Sequence, residues 1–110
     1  MTAGGDKSVE RAAKNEVAFR EANEKLEERR IELEIEGATP FICECEEESC
    51  TTLVMLSGEE YEEIRSKPNR FVLSPGHSFR LGEIVAENGR FMTVDKHGKA
   101  GEIAEATDPR

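Results

Sequence analysis

Three cysteines lie close together in the middle of the chain, in the pattern C-x-C-x-x-x-x-C. Cys43 and Cys45 are two residues apart, so in an extended chain both sulfur atoms point to the same side. The four residues that follow allow a turn that returns Cys50 to the same place. Because zinc favours thiolate and imidazole ligands in a tetrahedron, the spacing predicts three ligands of a zinc site.

The fourth ligand has to come from elsewhere, and the two histidines are the candidates of the right kind. His77 follows Pro75-Gly76, a rigid turn that can hold an imidazole at a fixed angle. His97 lies at the end of a predicted hairpin, where we expect greater exposure, so His77 is preferred. The prediction is one structural zinc ion per chain with four ligands: Cys43, Cys45, Cys50 and His77.

Two other interpretations of the cysteines stay open. Buried free cysteines often serve as small hydrophobic residues, although a close cluster flanked by glutamates makes an unusual core. A redox-active pair, Cys45 and Cys50, is the second alternative, but neighbouring negative charge disfavours the thiolate. The same negative charge mildly disfavours a zinc site with three thiolates. A metal ion nevertheless deprotonates the thiols that coordinate it, so zinc binding is still preferred. The glutamates at 46–48 are interpreted as a solvated turn.

The charge of the chain limits the classes of partner. The net charge of −9 argues against nucleic acid and against anionic membrane surfaces. Residues 41–64 carry eight Glu and no basic residue, so they are predicted to form an acidic patch. The expected partner is therefore another protein, and no small-molecule substrate is indicated.

The location of the protein is predicted from what the sequence lacks. Residues 1–14 are polar, with no apolar run of the kind a signal peptide needs, and no segment approaches the roughly 20 apolar residues of a membrane span. We therefore expect a cytoplasmic protein. Thiols in the cytoplasm stay reduced, which favours metal binding over a disulfide.

The N-terminal third is predicted to be one helix. Residues 1–8 are expected to be disordered, and residues 9–36 to form a charged helix that ends at Gly37. An apolar residue recurs every seven positions along it: Ala12, Phe19, Leu26 and Leu33. We expect the helix to dock through this narrow stripe, or to be presented to a partner.

Residues 41–103 are predicted to form a zinc-binding domain, followed by a polar tail at 104–110. Ser57 and Glu60 match a capping box that opens a short helix over 58–65. Asn88-Gly89 predicts a two-residue type I′ hairpin turn. The predicted strands are short: 41–43, 51–56, 70–73, 81–87 and 90–96. The fold class is therefore α+β, a long N-terminal helix followed by a small zinc-stapled antiparallel β domain with one short helix.

Two resemblances accompany these patterns. The cysteine spacing is similar to the segment that follows the catalytic domain of SET-type lysine methyltransferases, where it binds zinc with a distant fourth ligand; only this metal geometry carries over. Most of the chain resembles a family of short, uncharacterised bacterial proteins, which implies no activity. The features that carry the second resemblance are Asn15-Glu16, Phe19-Arg20-Glu21 and Asn23-Glu24; Phe41-x-Cys43-Glu44-Cys45 and Cys50; Leu56, Glu60-Tyr61 and Ile64-Arg65; Phe71 and Pro75-Gly76-His77; and Thr107-Asp108-Pro109-Arg110.

Enzymatic activity finds little support in the sequence. A Gly-rich phosphate loop, a nucleophile elbow and an H-E-x-x-H helix are all missing. The preferred function is a protein-interaction or regulatory module with structural zinc. The alternatives are a zinc-dependent hydrolytic enzyme with an open metal position and a redox-active thiol protein.

Overall fold

The computed structural model describes the backbone of residues 2–110 and the side chains of residues 8–110; Met1 lies outside the described residues. The elements in chain order are α1 (Thr2–Glu32), β1 (Thr39–Ile42), β2 (Leu53–Leu56), α2 (Gly58–Ile64), β3 (Arg70–Leu73), β4 (Gly82–Glu87), β5 (Met92–Lys96) and α3 (Gly98–Ala106). The predicted α+β class, with a long N-terminal helix and antiparallel strands, is confirmed. Within residues 2–110, no helix is long and apolar enough to cross a membrane.

α1 has different ends from those predicted. It begins at Thr2, inside the segment for which the sequence predicts disorder, and it ends at Glu32 rather than at residue 36. The terminal turn closes because the N–H groups of Glu34 and Ile35 donate to Ile31 and Arg30, with Glu34 in the left-handed conformation (φ 54°). This is a Schellman ending, so Gly37 belongs to the connection and does not cap the helix.

The strands form two small antiparallel sheets. One pairs β1 with β2, and the other has the order β3-β5-β4. Beyond β1, the Glu44 N–H donates to the Val72 carbonyl at 2.7 Å and so links the two sheets. The capping box that opens α2 is present as predicted, with Ser57 and Glu60 exchanging hydrogen bonds.

The core has two parts that meet at β3. Val72 faces a cluster in which the rings of Phe41 and Tyr61 stack with centroids 4.6 Å apart. Phe71 and Leu73, which point to the other side of β3, pack in a second cluster. The second cluster lies beneath α3 and includes the two buried cysteines. Its members besides Phe71 and Leu73 are Cys43, Cys45, Met92, Val94 and Ala104.

The face of α1 that packs against the rest of the chain is not the predicted apolar stripe. Ala12 is buried and Phe19 half-buried, but Leu26 and Leu33 are 40% and 55% exposed. Side chains three and four residues apart share one face of a helix. The buried face of α1 carries four polar side chains at this spacing: Glu16, Arg20, Asn23 and Glu27. The stripe prediction therefore holds for Ala12 and Phe19 but is wrong for Leu26 and Leu33, and most of the buried side chains of α1 are polar.

Three of these buried polar groups, on Glu16, Arg20 and Asn23, are held by partners far away in the sequence. The Arg20 guanidinium donates to the carbonyl oxygens of Pro68 (2.6 Å) and Ala104 (2.9 Å) and lies 4.9 Å from the centre of the Phe71 ring. The Glu16 carboxylate pairs with the Lys96 ammonium at 2.6 Å, and both side chains are almost completely buried. Because a buried polar group needs a partner, these contacts fix where α1 can lie.

The C-terminal segment is part of the fold and not the predicted polar tail. α3 was not predicted, and its Ala100 and Ala104 are buried. After it, Asp108 pairs with the fully buried Arg65, and Arg110 pairs with Glu24 at 2.7 Å. The end of the chain is therefore tied to α1 and α2.

The β4–β5 hairpin also differs from the prediction. The strands pair from Gly82↔Lys96 to Glu87↔Met92, with a bulge between Ile84 and Ala86. Because the last pair is Glu87↔Met92, the loop between the strands contains four residues, 88–91. Positive φ among the described residues is found elsewhere, so Asn88-Gly89 is not a type I′ turn. The Asn88 side chain accepts hydrogen bonds from the N–H groups of Arg90 and Phe91 and shapes the longer loop instead.

We expect Lys96→Met to destabilise the protein strongly. Removing one partner of a buried ion pair leaves the Glu16 carboxylate uncompensated, which typically costs about 3–5 kcal/mol. Urea denaturation should show this loss in the free energy of unfolding. Lys99→Met is the matched control, because its ammonium is exposed and 3.9 Å from Glu10; its cost should stay below about 0.5 kcal/mol. Similar costs for both variants would show that the buried pair does not hold α1.

Candidate metal centre

Two connections bring the predicted ligands together. Cys43 extends the β1–β2 ladder, since its N–H donates to the Thr52 carbonyl at 3.1 Å. Cys50 returns through a turn in which its N–H donates to the Glu47 carbonyl at 3.0 Å. His77 sits in the turn after β3, with its N–H on the Ser74 carbonyl at 3.2 Å. The sequence predicted both turns.

The four candidate ligand atoms converge on one point. One atom each from Cys43, Cys45, Cys50 and His77 lie within 4.8 Å of one another. His77 Nδ1 is 3.4 Å from the sulfur of Cys43 and 3.9 Å from that of Cys50. A tetrahedral zinc ion with Zn–S near 2.3 Å and Zn–N near 2.05 Å separates sulfur from nitrogen by about 3.6 Å. The cluster could therefore bind a metal ion of this size.

His97, the alternative fourth ligand, lies elsewhere. It occupies the N-cap position of α3, and its Nε2 is 3.1 Å from the Glu83 carboxylate on β4. The side chain is half exposed and does not belong to the group around the cysteines. The structure thus brings His77, and not His97, to the three thiols.

The cluster is buried on one side and open on the other. Cys43 and Cys45 are buried in the second core cluster. Cys50 and His77 are half-buried and line an open cleft of about 560 Å³ together with Glu46 and Glu47. The open side leaves a path by which an ion can reach the thiols.

Burial sets the protonation of the metal-free thiols. Burial raises the pKa of both Cys43 and Cys45 above the usual range, although the Ser74 N–H, 3.2 Å from the Cys43 sulfur, acts in the opposite direction. Burial acts in the same direction on Cys50, but hydrogen bonds from Thr52 and from the other two cysteines together lower the pKa of that thiol. Metal binding must therefore displace protons from the two buried thiols, and affinity should rise with pH.

The glutamates around the cluster are not simply a solvated turn. The Glu46 carboxylate accepts hydrogen bonds from the N–H and Nε of Arg80, at 2.6 and 2.9 Å, and lies 3.4 Å from the Lys96 ammonium. The solvated-turn interpretation is thus wrong for Glu46. Because these cations offset its charge, the surroundings of the thiols are less negative than the sequence suggests.

Sequence reasoning missed Glu44 and Asn23. Glu44 stands between two candidate ligands, is fully buried, and accepts hydrogen bonds from the Val72 N–H and from Asn23, both at 2.9 Å. Burial raises its pKa to about 7, against the lowering effect of these bonds. Alternation along an extended chain shows that Glu44 faces away from the thiols, but only the docked α1 reveals that this other side is buried.

Comparison with protein-family models, with characterised proteins and with solved structures finds no match to this chain. The chemistry of the cluster therefore has to be interpreted from its own geometry.

Proposed function

We propose that the chain is a small zinc-binding protein in which one structural zinc ion is bound by Cys43, Cys45, Cys50 and His77. The observation that carries this proposal is the convergence of the four ligand atoms within 4.8 Å. Three thiolates and one imidazole are a common ligand set of structural zinc. The contribution of the ion would be to tie the loop after β1 to the turn after β3.

The two chemical alternatives fit this geometry less well. A hydrolytic zinc site keeps one coordination position open for water, whereas His77 stands where it would fill that position. A redox pair of Cys45 and Cys50 would use two of the four residues and would leave Cys43 and His77 without a role, although all four ligand atoms lie within 4.8 Å of one another. A zinc-bound state accounts for all four residues at once.

Structural zinc is also consistent with the size of the protein. A chain of 110 residues buries a modest core, and this one places two candidate ligands inside it. Small domains commonly add a metal to supplement a core of this kind. We place the protein in the cytoplasm, where thiols remain available for metal, and we propose that it is related to the short bacterial proteins it resembles.

The proposed role is to bind another protein. The β1–β2 sheet exposes an apolar face, because the register aligns Pro40 with Met55 and Ile42 with Leu53 on the side away from the core. Leu53 is 59% exposed and Met55 42%. The partner we propose is another protein that covers these two side chains with an apolar segment of its own.

Protein purified without added chelator should contain about one zinc ion per chain by elemental analysis. His77→Ala should lose most of the zinc, whereas His97→Ala, the matched control, should retain it. A wild-type content below about 0.2 equivalents, with all three thiols freely titratable, would contradict zinc binding. Equal retention in the two variants would show that water or a carboxylate fills the fourth position, and would favour the hydrolytic alternative.

The double variant Leu53→Ser/Met55→Ser should weaken partner binding roughly tenfold or more, since it removes the apolar side chains at the centre of the proposed surface. A partner captured with the wild-type protein would be purified and its affinity measured by calorimetry. Ile84→Ser/Val85→Ser on β4 changes two side chains of similar exposure and serves as the control. Equal affinity of both double variants would exclude the β1–β2 face as the binding surface.

A further inference from the structure

The chain from Ile42 to Glu46 faces two ways. Alternate residues of an extended chain point to opposite sides, and here the sulfur atoms of Cys43 and Cys45 point to the candidate metal site. The side chain of Glu44 points the other way, to α1, and that of Glu46 to Arg80 and Lys96. One short segment therefore contributes both to the metal site and to the surface against which α1 packs.

Asn23 of α1 is the main contact on the helix side. Its Oδ1 accepts from the Ile42 N–H at 2.7 Å, and its Nδ2 donates to the Ile42 carbonyl at 2.8 Å and to the Glu44 carboxylate at 2.9 Å. The amide thus pairs with the edge of β1 as a neighbouring strand would. It fixes the backbone immediately before Cys43 and the side chain immediately after it.

A second set of contacts lies one residue beyond Cys45. Asn15 of α1 donates from Nδ2 to the Glu46 carbonyl at 3.0 Å. The Glu46 carboxylate lies 3.4 Å from the Lys96 ammonium, which in turn pairs with Glu16 of α1 at 2.6 Å. The helix therefore holds the ligand-bearing segment on both sides of Cys45.

We propose that metal binding and the docking of α1 are coupled through this segment. In this proposal, which rests on the proposed zinc site, Asn23 and Asn15 are positioning residues for Cys43 and Cys45. Whichever event comes first, metal binding or helix docking, orders residues 42–46 and so removes that entropic cost from the other. Coupling of two binding events is reciprocal, so the helix strengthens metal binding and the metal holds the helix.

The polar character of the docked face makes α1 sensitive to the metal. Apolar contacts tolerate small displacements, but hydrogen bonds weaken steeply when distance and angle change. The contacts made by Asn15 and Asn23 need residues 42–46 in one conformation. When the metal leaves and this segment loosens, the helix loses these bonds together.

The test uses the full-length chain and two measurements. The dissociation constant for zinc is measured by competition with a chromophoric chelator, and amide hydrogen exchange of α1 is measured with and without zinc. Asn23→Ala should weaken zinc binding about 10- to 100-fold, the usual effect of removing a group that orients metal ligands. Glu21→Ala, on the exposed face of the same helix, should leave the affinity unchanged.

Hydrogen exchange separates coupling from a purely structural role. Zinc should slow exchange along the middle of α1 in the wild-type protein, and should slow it much less in Asn23→Ala. If Asn23→Ala fails to fold, Asn15→Ala provides the test, because Asn15 is only half-buried. Its loss of one hydrogen bond should lower zinc affinity roughly three- to tenfold.

The outcomes distinguish this inference from the zinc site itself. Wild-type protein that binds no zinc would overturn both. Zinc binding that is unaffected by the two asparagine variants, or helix exchange that is the same with and without zinc, would overturn the coupling and leave the zinc site intact.

Discussion

A buried polar group has to meet a partner, and the position of α1 depends on this requirement more than on apolar contact. Arg20 is fully buried, and its guanidinium reaches two backbone carbonyls that lie 48 and 84 residues further along the chain. Glu16 and Asn23 add an ion pair and a strand-like amide pair. Hydrophobic burial is non-directional, whereas these contacts are directional, so they specify the position of the helix against β5, α3 and the segment after β1.

The features that the sequence predicted are those determined over a few residues. The cysteine spacing, the turn before His77 and the capping box of Ser57 and Glu60 all follow from local geometry. The cluster could be anticipated because its ligand types are rare in this chain and lie near turn signals. The choice of His77 rests on the rigidity of Pro75-Gly76, a property that the sequence itself displays.

The features that the sequence did not predict depend on distant partners. The apolar heptad predicted the buried face of α1 only in part, because most of that face is defined by groups on β5 and α3 and by the loop before β3. The acidic segment likewise appeared unpaired. In the folded chain Glu46, Glu60 and Glu62 meet Arg80, Arg90 and Arg110, so charges that are separated in the sequence neutralise one another in space. One signal for the buried face of α1 is present in the sequence: the polar residues at 16, 20, 23 and 27 recur with the spacing of one helix face.

The pairing of α1 with β5 and α3, which follow it much later in the sequence, has a consequence for biosynthesis. The helix leaves the ribosome before Lys96 and Ala104, which hold Glu16 and Arg20 and lie far along the chain from them. A helix can form locally within microseconds, yet this one cannot dock completely until β5 and α3 have been made. Its charged surface keeps it hydrated during that interval, and a helix with an apolar docking face would instead expose a surface prone to aggregation. A polar docking face therefore suits a helix that stays undocked until later parts of its own chain have been made.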